Sequence, residues 1–182
     1  MNLKKYQKTI LTKKNKKIIL RFPERGDVNK LLQFGNKLVE EDTYILLTKR
    51  LTKKEEVEYL EKRLKAIEEK KRISLLAIYN GKIIGNGGVD RKESRQKHIG
   101  ELDISVSKEF RDEGVGSVLM EELITLAKNF LKLKILFLRV FGNNKRGIYF
   151  YGKLGFRECG RIPKAVFYKG KYEDEVIMYQ ES

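Results

Sequence analysis

Residues 102–130 read LDISVSKEFRDEGVGSVLMEELITLAKNF. An apolar strand pattern runs into a turn with two glycines, Arg111-Asp112-Glu113-Gly114-Val115-Gly116, and then into an amphipathic helix pattern carrying Val118, Leu119, Leu123, Ile124 and Leu126. Strand, glycine turn and helix together make an anion site. The first helical turn leaves backbone N–H groups without intrahelical partners, the aligned peptide dipoles add partial positive charge there, and glycines let a phosphate approach without a Cβ in the way. A phosphate-bearing ligand is expected on Gly114, Val115, Gly116 and Ser117. Two common phosphate loops are excluded by residue type. No Lys-Ser/Thr pair follows the last glycine, as a nucleoside-triphosphate loop requires, and Leu119 stands where a dinucleotide fingerprint places its third glycine.

The strand that leads into this turn carries a second kind of chemistry. Leu102, Ile104 and Val106 share one face, so Glu101, Asp103 and Ser105 share the other. If helices cover both faces of the sheet, a carboxylate there is desolvated and its pKa rises toward that of a useful base. Glu101 and Asp103 are therefore candidate bases, acting through water; the competing role for each is a structural hydrogen bond. His98 reads as the residue that leads into the strand, and no metal-ligand spacing occurs, so no metal is expected. Cys159 has no sequence partner to activate it and is expected to pack in the core rather than act as a nucleophile.

The elements that must hold these residues follow from periodicity. Residues 17–22 read as a first strand. Asp27 is positioned to cap a helix with Val28, Leu31, Leu32, Gly35 and Leu38 inward, and Thr52 with Glu55 forms a capping box for a helix with Val57, Leu60, Leu64 and Ile67 at helical spacing. Residues 73–79 and 82–89 form a hairpin about Asn80-Gly81, 91–97 a polar loop, and 99–106 the strand discussed above. After the apolar strand 135–141, residues 161–168 and 172–179 read as a closing hairpin about Lys169-Gly170-Lys171.

At 182 residues and 41% hydrophobic content the chain suits one domain with a real core. A single cysteine excludes an internal disulfide and suits a reducing compartment; the basic start MNLKKYQKTILTKKNKKI is too polar for a signal peptide, and no apolar run reaches spanning length. A cytoplasmic protein with no membrane partner is expected. The formal charge of +15 is uneven, with Lys4, Lys5, Lys8, Lys13, Lys14, Lys16, Lys17 and Arg21 all preceding the first acidic residue, Glu24. Residues 1–16 are read as a solvated basic arm and 17–182 as the domain. Nucleic acid is a disfavoured partner, because only Tyr6 and Phe22 in that region could stack on bases.

Two motifs together give the chain a resemblance. The turn R-x-x-G-x-G after a strand ending in valine, and Asn144-Lys145-Arg146-Gly147-Ile148-Tyr149-Phe150-Tyr151-Gly152-Lys153-Leu154-Gly155-Phe156 about thirty residues later, resemble the pyrophosphate loop and the N-x-x-A-I-x-L-Y-x-K-L-G-F segment of the GNAT superfamily of acetyl-CoA-dependent N-acetyltransferases. Asn80-Gly81-Lys82-Ile83-Ile84-Gly85 is similar to the hairpin that precedes the family's cofactor strand. The resemblance covers residues 18 to 182.

It implies an α/β (α+β) fold with a mixed, mostly antiparallel central sheet flanked by helices. It implies acetyl-CoA held by Ile104, Ser105, Val106, Arg111, Asp112, Glu113, Gly114, Val115, Gly116, Ser117, Asn144 and Tyr151. The implied reaction is direct attack of a primary amine (a small amine, polyamine, amino compound or peptide N-terminus) on the thioester in a ternary complex. Tyr151 takes the place of the acid that protonates the departing coenzyme A sulfur, a phenol of ordinary pKa about 10 serving as donor; the competing role is packing beside Tyr149, Phe150 and Phe156. Glu40, Glu41 and Asp42 fall near the acceptor side, where an acidic cluster would receive a cationic amine, the competing role being a solvated helix end, and a homodimer is compatible with the family. Two departures stand out: Arg139 replaces a glutamate base found in several N-terminal protein acetyltransferases, and Asp112 and Glu113 put negative charge into a phosphate loop. The rival reading, a basic nucleic-acid-binding or regulatory module that keeps the fold without turnover, rests on charge alone.

Overall fold

The computed structural model describes residues 6–181. Strands β1 (Gln7–Leu11) and β2 (Lys17–Arg21) precede helices α1 (Val28–Glu40) and α2 (Lys53–Glu68); β3 (Arg72–Tyr79), β4 (Lys82–Arg91) and β5 (Ile99–Val106) lead to α3 (Val115–Asn129). Then come β6 (Ile135–Phe141), α4 (Lys145–Lys153), β7 (Arg157–Tyr168) and β8 (Lys171–Glu181). All eight strands form one sheet in the order β1-β2-β3-β4-β5-β6-β8-β7, antiparallel throughout except where β5 meets β6. This is the mixed, mostly antiparallel α/β arrangement expected from the sequence.

Local chemistry explains the elements. Asn80 and Gly81 both have positive φ, at 46° and 73°, the turn geometry that matches strand twist in a two-residue hairpin. Thr52 Oγ accepts the Glu55 N–H at 3.3 Å while Glu55 accepts the Thr52 N–H at 2.8 Å, the reciprocal box that starts α2. Strand β3 is buried on both faces because helices cover both. Ile73, Leu75 and Ala77 join a core with Leu119, Met120 and Leu123 of α3, whereas Leu76 and Ile78 pack with Leu31, Phe34 and Leu38 of α1 and Leu60 of α2.

The structure departs from expectation at several places. Gln7–Leu11, read as part of a solvated arm, is the edge strand of the sheet, paired with β2 from Gln7↔Arg21 to Leu11↔Lys17. Its register is set by Tyr6 and Lys8, which both bond the Glu122 carboxylate on α3, and by Tyr6 standing edge-on to Phe22 at 5.7 Å. Asp27 sits at the start of α1, but its carboxylate does not cap it. It accepts two 2.7 Å bonds from Arg21 and one at 2.9 Å from the Glu24 N–H, because a buried carboxylate gains more from a bidentate guanidinium than from one helical N–H. Val57 is 39% exposed, since the buried stripe of α2 runs through Glu56, Leu60 and Ile67 instead. Cys159 is exposed, turned out by the register shift between Glu158 and Gly160. His98 is exposed just before β5, as expected. Among the described residues no helix is long and apolar enough to cross a membrane, and no cluster could hold a metal ion.

Candidate active site

The one parallel pairing in the sheet is short. Strands β5 and β6 meet only at Ile99↔Ile135, Gly100↔Leu136 and Glu101↔Phe137, although β5 continues to Val106 and β6 to Phe141. The closed end is tight: a Cβ on Gly100 would stand 2.5 Å from Leu133 Cδ1 and 2.7 Å from Val89 Cγ1. Beyond it the strands keep their outer partners, β4 and β8, and lose each other. Their facing edges line a cleft with backbone groups free to pair with an extended ligand, as an exposed strand edge does.

The anion loop closes one end of that cleft. Asp112 and Gly114 take positive φ, at 65° and 88°, which turns the chain from the loop into α3. The N–H groups of Val115, Gly116 and Ser117 lie in the first helical turn, where no residue four back can accept from them. A Cβ on Gly116 would lie 3.6 Å from Phe150 and 3.8 Å from Val106, so α3, the end of β5 and α4 converge there.

The two unexpected acids of the loop are neutralised from the N-terminal hairpin and from α4. Glu113 is buried, with Lys16 at 2.8 Å and Lys14 at 3.1 Å, and its carbonyl accepts the Lys13 N–H at 3.1 Å. Hydrogen bonds from Lys16 hold the Glu113 carboxyl below its ordinary pKa against the opposing effect of burial, with Lys14 adding to it. Asp112 pairs with Arg146 at 2.8 Å. Arg111 serves the frame: Nε donates to the Val106 carbonyl at 3.0 Å and Nη2 to Glu41 at 2.6 Å.

Tyr151 lies half-buried on α4, its ring 5.3 Å from Phe150 and 6.3 Å from Phe156. Burial first, and the charge of Asp103 second, push its hydroxyl up to about 12, so it stays protonated at neutral pH. Asn144 caps α4, its Oδ1 accepting the Gly147 N–H at 2.9 Å. Gly147, where the resembled motif has alanine, permits this, because a Cβ there would stand 2.6 Å from the Asn144 amide. Asn143 Oδ1 is buried with no hydrogen-bond partner among the described residues. Divergent strand edges, a helix N-terminus and an orphaned polar atom beside α4 fit a ligand with an extended amide-bearing arm and phosphates, as coenzyme A is.

On the α1/α2 face the sheet is apolar at Leu76 and Ile78 and turns polar toward β4 and β5. Asn86 and Ser105 are cross-strand partners, as are Gly88 and Asp103, and Asp90 and Glu101. The Arg72 guanidinium lies over Gly88, where a Cβ would overlap it, and binds both Asp90 and, at 2.7 Å, Asp103. Glu101 is held by Lys92 and by Arg139 at 3.3 Å, and Arg139 also binds Glu175 at 2.9 Å. The expected desolvation of the two candidate bases is not what the strands deliver: Asp103 is 54% exposed and Glu101 is fixed between two cations. Raised carboxyls lie beside them. Burial pushes Asp90 up, with Asp103 and Glu101 adding to it against Arg72, and burial pushes Glu56 up against Arg63.

Above this floor is a cavity of about 610 Å³, walled by Leu31, Phe34, Leu38 and Leu51 and floored by Arg63, Arg72, Asn86, Asp90 and Ser105. A second cavity of about 310 Å³ lies between residues 42–48 and β7. The loop that walls both is pinned by buried Asn36, which accepts the Leu51 N–H at 2.7 Å and donates to its carbonyl at 3.1 Å. Each acid expected on the acceptor side has a basic partner: Glu40 with Arg50 at 3.1 Å, Glu41 with Arg111, Asp42 with Lys169 at 3.5 Å. Asp42 lines the second of these two cavities, and Glu40 and Glu41 line neither. Sequence reasoning missed Glu56, Arg63, Arg72 and Asn86. The available signal was Arg63 standing three residues after Leu60, on the inward stripe of α2.

Fold and site together define an acetyltransferase-type scaffold, and the chain belongs to the acetyltransferase (GNAT) family, whose model matches residues 40–156. It is similar to the L-amino acid N-acetyltransferase AaaT of Escherichia coli K12, at 31% identity over 105 residues, which cover 57% of this chain and 65% of that protein. The match thus spans just under two thirds of that relative. A GNAT-family acetyltransferase structure from Streptococcus pneumoniae superposes with a TM-score of 0.81 at 29% identity, covering 91% of this chain and 99% of that one. A ribosomal L7/L12 α-N-protein acetyltransferase in complex with coenzyme A has the same fold at 13% identity and a TM-score of 0.79, covering 90% and 93%.

Proposed function

We propose that this chain is an N-acetyltransferase that moves the acetyl group of acetyl-CoA to a primary amine by direct attack in a ternary complex. The observation that carries the reading is the cleft between β5 and β6, closed at one end by the N-terminus of α3 and flanked by Tyr151. The coenzyme, when bound, supplies an activated acetyl thioester. Gly114, Val115, Gly116 and Ser117 hold its phosphates through backbone N–H groups, and the free edge at 104–106 aligns its amide-bearing arm. Tyr151, kept protonated, donates to the departing sulfur.

Asp103 is assigned the amine proton, through water: its carboxylate is paired with Arg72 at 2.7 Å yet half-exposed, so water reaches it, and its charge reaches Tyr151. Glu101, Lys92 and Arg139 form the fixed charges behind it. The reading includes a cytoplasmic setting, supported by the single cysteine. Part of the charge that suggested a nucleic-acid module is spent inside the fold, on Glu122 and Glu113.

The test is calorimetric titration with acetyl-CoA followed by a screen of amines with a free-thiol readout. Thiol release that depends on an added amine supports the reading. No acetyl-CoA binding by folded protein refutes it.

A further inference from the structure

Arg63 is a guanidinium without an acid. It projects from α2 onto the cavity floor, where Nη1 donates to Asn86 Oδ1 at 3.4 Å, beyond the usual hydrogen-bond range. Among the described residues no carboxylate lies within salt-bridge distance of it. Arg72 beside it is committed to Asp90 and Asp103, so those acids are engaged, and Lys62 adds a further positive charge to the lining. Burial and the neighbouring Arg72 both press the Arg63 pKa down, against Asp103, Glu56 and Asp90. Arg63 is half-buried on the cavity lining, and one long bond to Asn86 leaves most of its N–H donors available to a ligand while the guanidinium keeps its proton. Its planar fork matches an oxyanion in two parallel bonds.

The rest of the cavity defines what else such a ligand carries. Leu31, Phe34, Leu38 and Leu51 form an apolar wall opposite the charged floor, and about 610 Å³ is the size of a small-molecule site. Ser105 of the cofactor strand also lines the cavity, which puts the floor beside the strand edge that the coenzyme is proposed to use.

We propose that the acceptor is a small amine that also carries a carboxylate or similar oxyanion, gripped by Arg63, with its apolar part against α1. This rests on the acetyltransferase reading above and narrows it. A polyamine fits less well, because a second ammonium would meet Arg63 and Lys62, and Glu56 is the one acid of the lining without an ion pair among the described residues.

The test compares matched acceptors at saturating acetyl-CoA: L-leucine, leucinamide and isopentylamine, and L-phenylalanine, phenylalaninamide and phenethylamine. The acids are expected to exceed the amides and plain amines in kcat/KM on the order of 10²-fold, the scale of a bidentate charge-assisted contact. Arg63→Gln should narrow that ratio to a few-fold, and Arg63→Lys, which keeps charge without the fork, should fall between. Circular dichroism and acetyl-CoA affinity report folding of each variant. Plain amines used as well as the acids, or a ratio that Arg63→Gln leaves intact, overturns the proposal. So does a protein that binds acetyl-CoA yet transfers to none of the acids. A protein that does not bind acetyl-CoA removes the acetyltransferase reading itself, and this inference with it.

Discussion

Gly116→Ala separates the fold from the site, because the two respond in opposite directions. Gly116 is the second residue of α3, and the added Cβ would meet Phe150 at 3.6 and 3.9 Å and Val106 at 3.8 Å, ordinary contact distances. No neighbour has to move. Alanine is favoured over glycine by up to about 1 kcal/mol inside a helix, and by less in its first turn. Taking ~0.5 kcal/mol, a chain of this size should melt about 1–2 °C higher. The same methyl group stands where α3, the end of β5 and α4 converge, on the approach proposed for the phosphates. Loss of one charge-assisted hydrogen bond to phosphate costs about 1.5–3 kcal/mol, so coenzyme A affinity should fall roughly 10- to 100-fold. Calorimetric titration with coenzyme A, and melting without ligand, measure both. A higher melting temperature with unchanged affinity would remove this loop from the phosphate site, and a lower melting temperature would refute the packing around Gly116.

Tyr151→Phe keeps the ring contacts and should leave melting unchanged while lowering kcat on the order of 10²-fold; a variant within twofold of wild type, with chemistry rate-limiting, assigns the sulfur proton to another donor. Because that hydroxyl is pushed up to about 12, no alkaline limb in the wild-type kcat profile below about pH 11 should belong to it, and one that vanishes in Tyr151→Phe would contradict the assignment. Removing residues 1–15 deletes β1 and strips Tyr6 and Lys8 from Glu122 and Lys14 from Glu113, so both melting temperature and coenzyme affinity should drop; two unchanged values would show that the edge strand is dispensable. Asp27→Asn probes acid stability. Burial alone would raise this carboxyl, yet hydrogen bonds from Arg21 and the Glu24 N–H, with the charges of Arg21 and Lys30, hold it below its ordinary value. Its contribution is therefore present above the unfolded pKa of about 4 and is lost as pH falls through the folded one, so urea midpoints of the two proteins should differ near neutrality and converge in acid. Parallel curves would refute it.

What the sequence determined was whatever depends on neighbours along the chain. The strand alternation of 99–106, the capping box at Thr52 and Glu55, the Asn80-Gly81 hairpin and the glycine turn into α3 are each written within a few residues, and each formed where expected. The boundaries of the closing hairpin were extended, to 157–168 and 171–181, because pairing with β6 and across the bulge adds residues that no local pattern marks.

Tertiary structure decided the charges. Whether Glu113 harms a phosphate loop depends on Lys14 and Lys16, nearly a hundred residues away, and whether Asp27 caps a helix depends on Arg21 reaching it first. Glu101 and Asp103 alternate correctly on β5, yet their partners, Arg139 and Lys92 for one and Arg72 for the other, come from β6, the loop after β4, and β3. The lone Arg63 is legible only in three dimensions for the same reason. A side chain's lack of a partner is a property of every element packed around it, and periodicity along one helix carries no record of that.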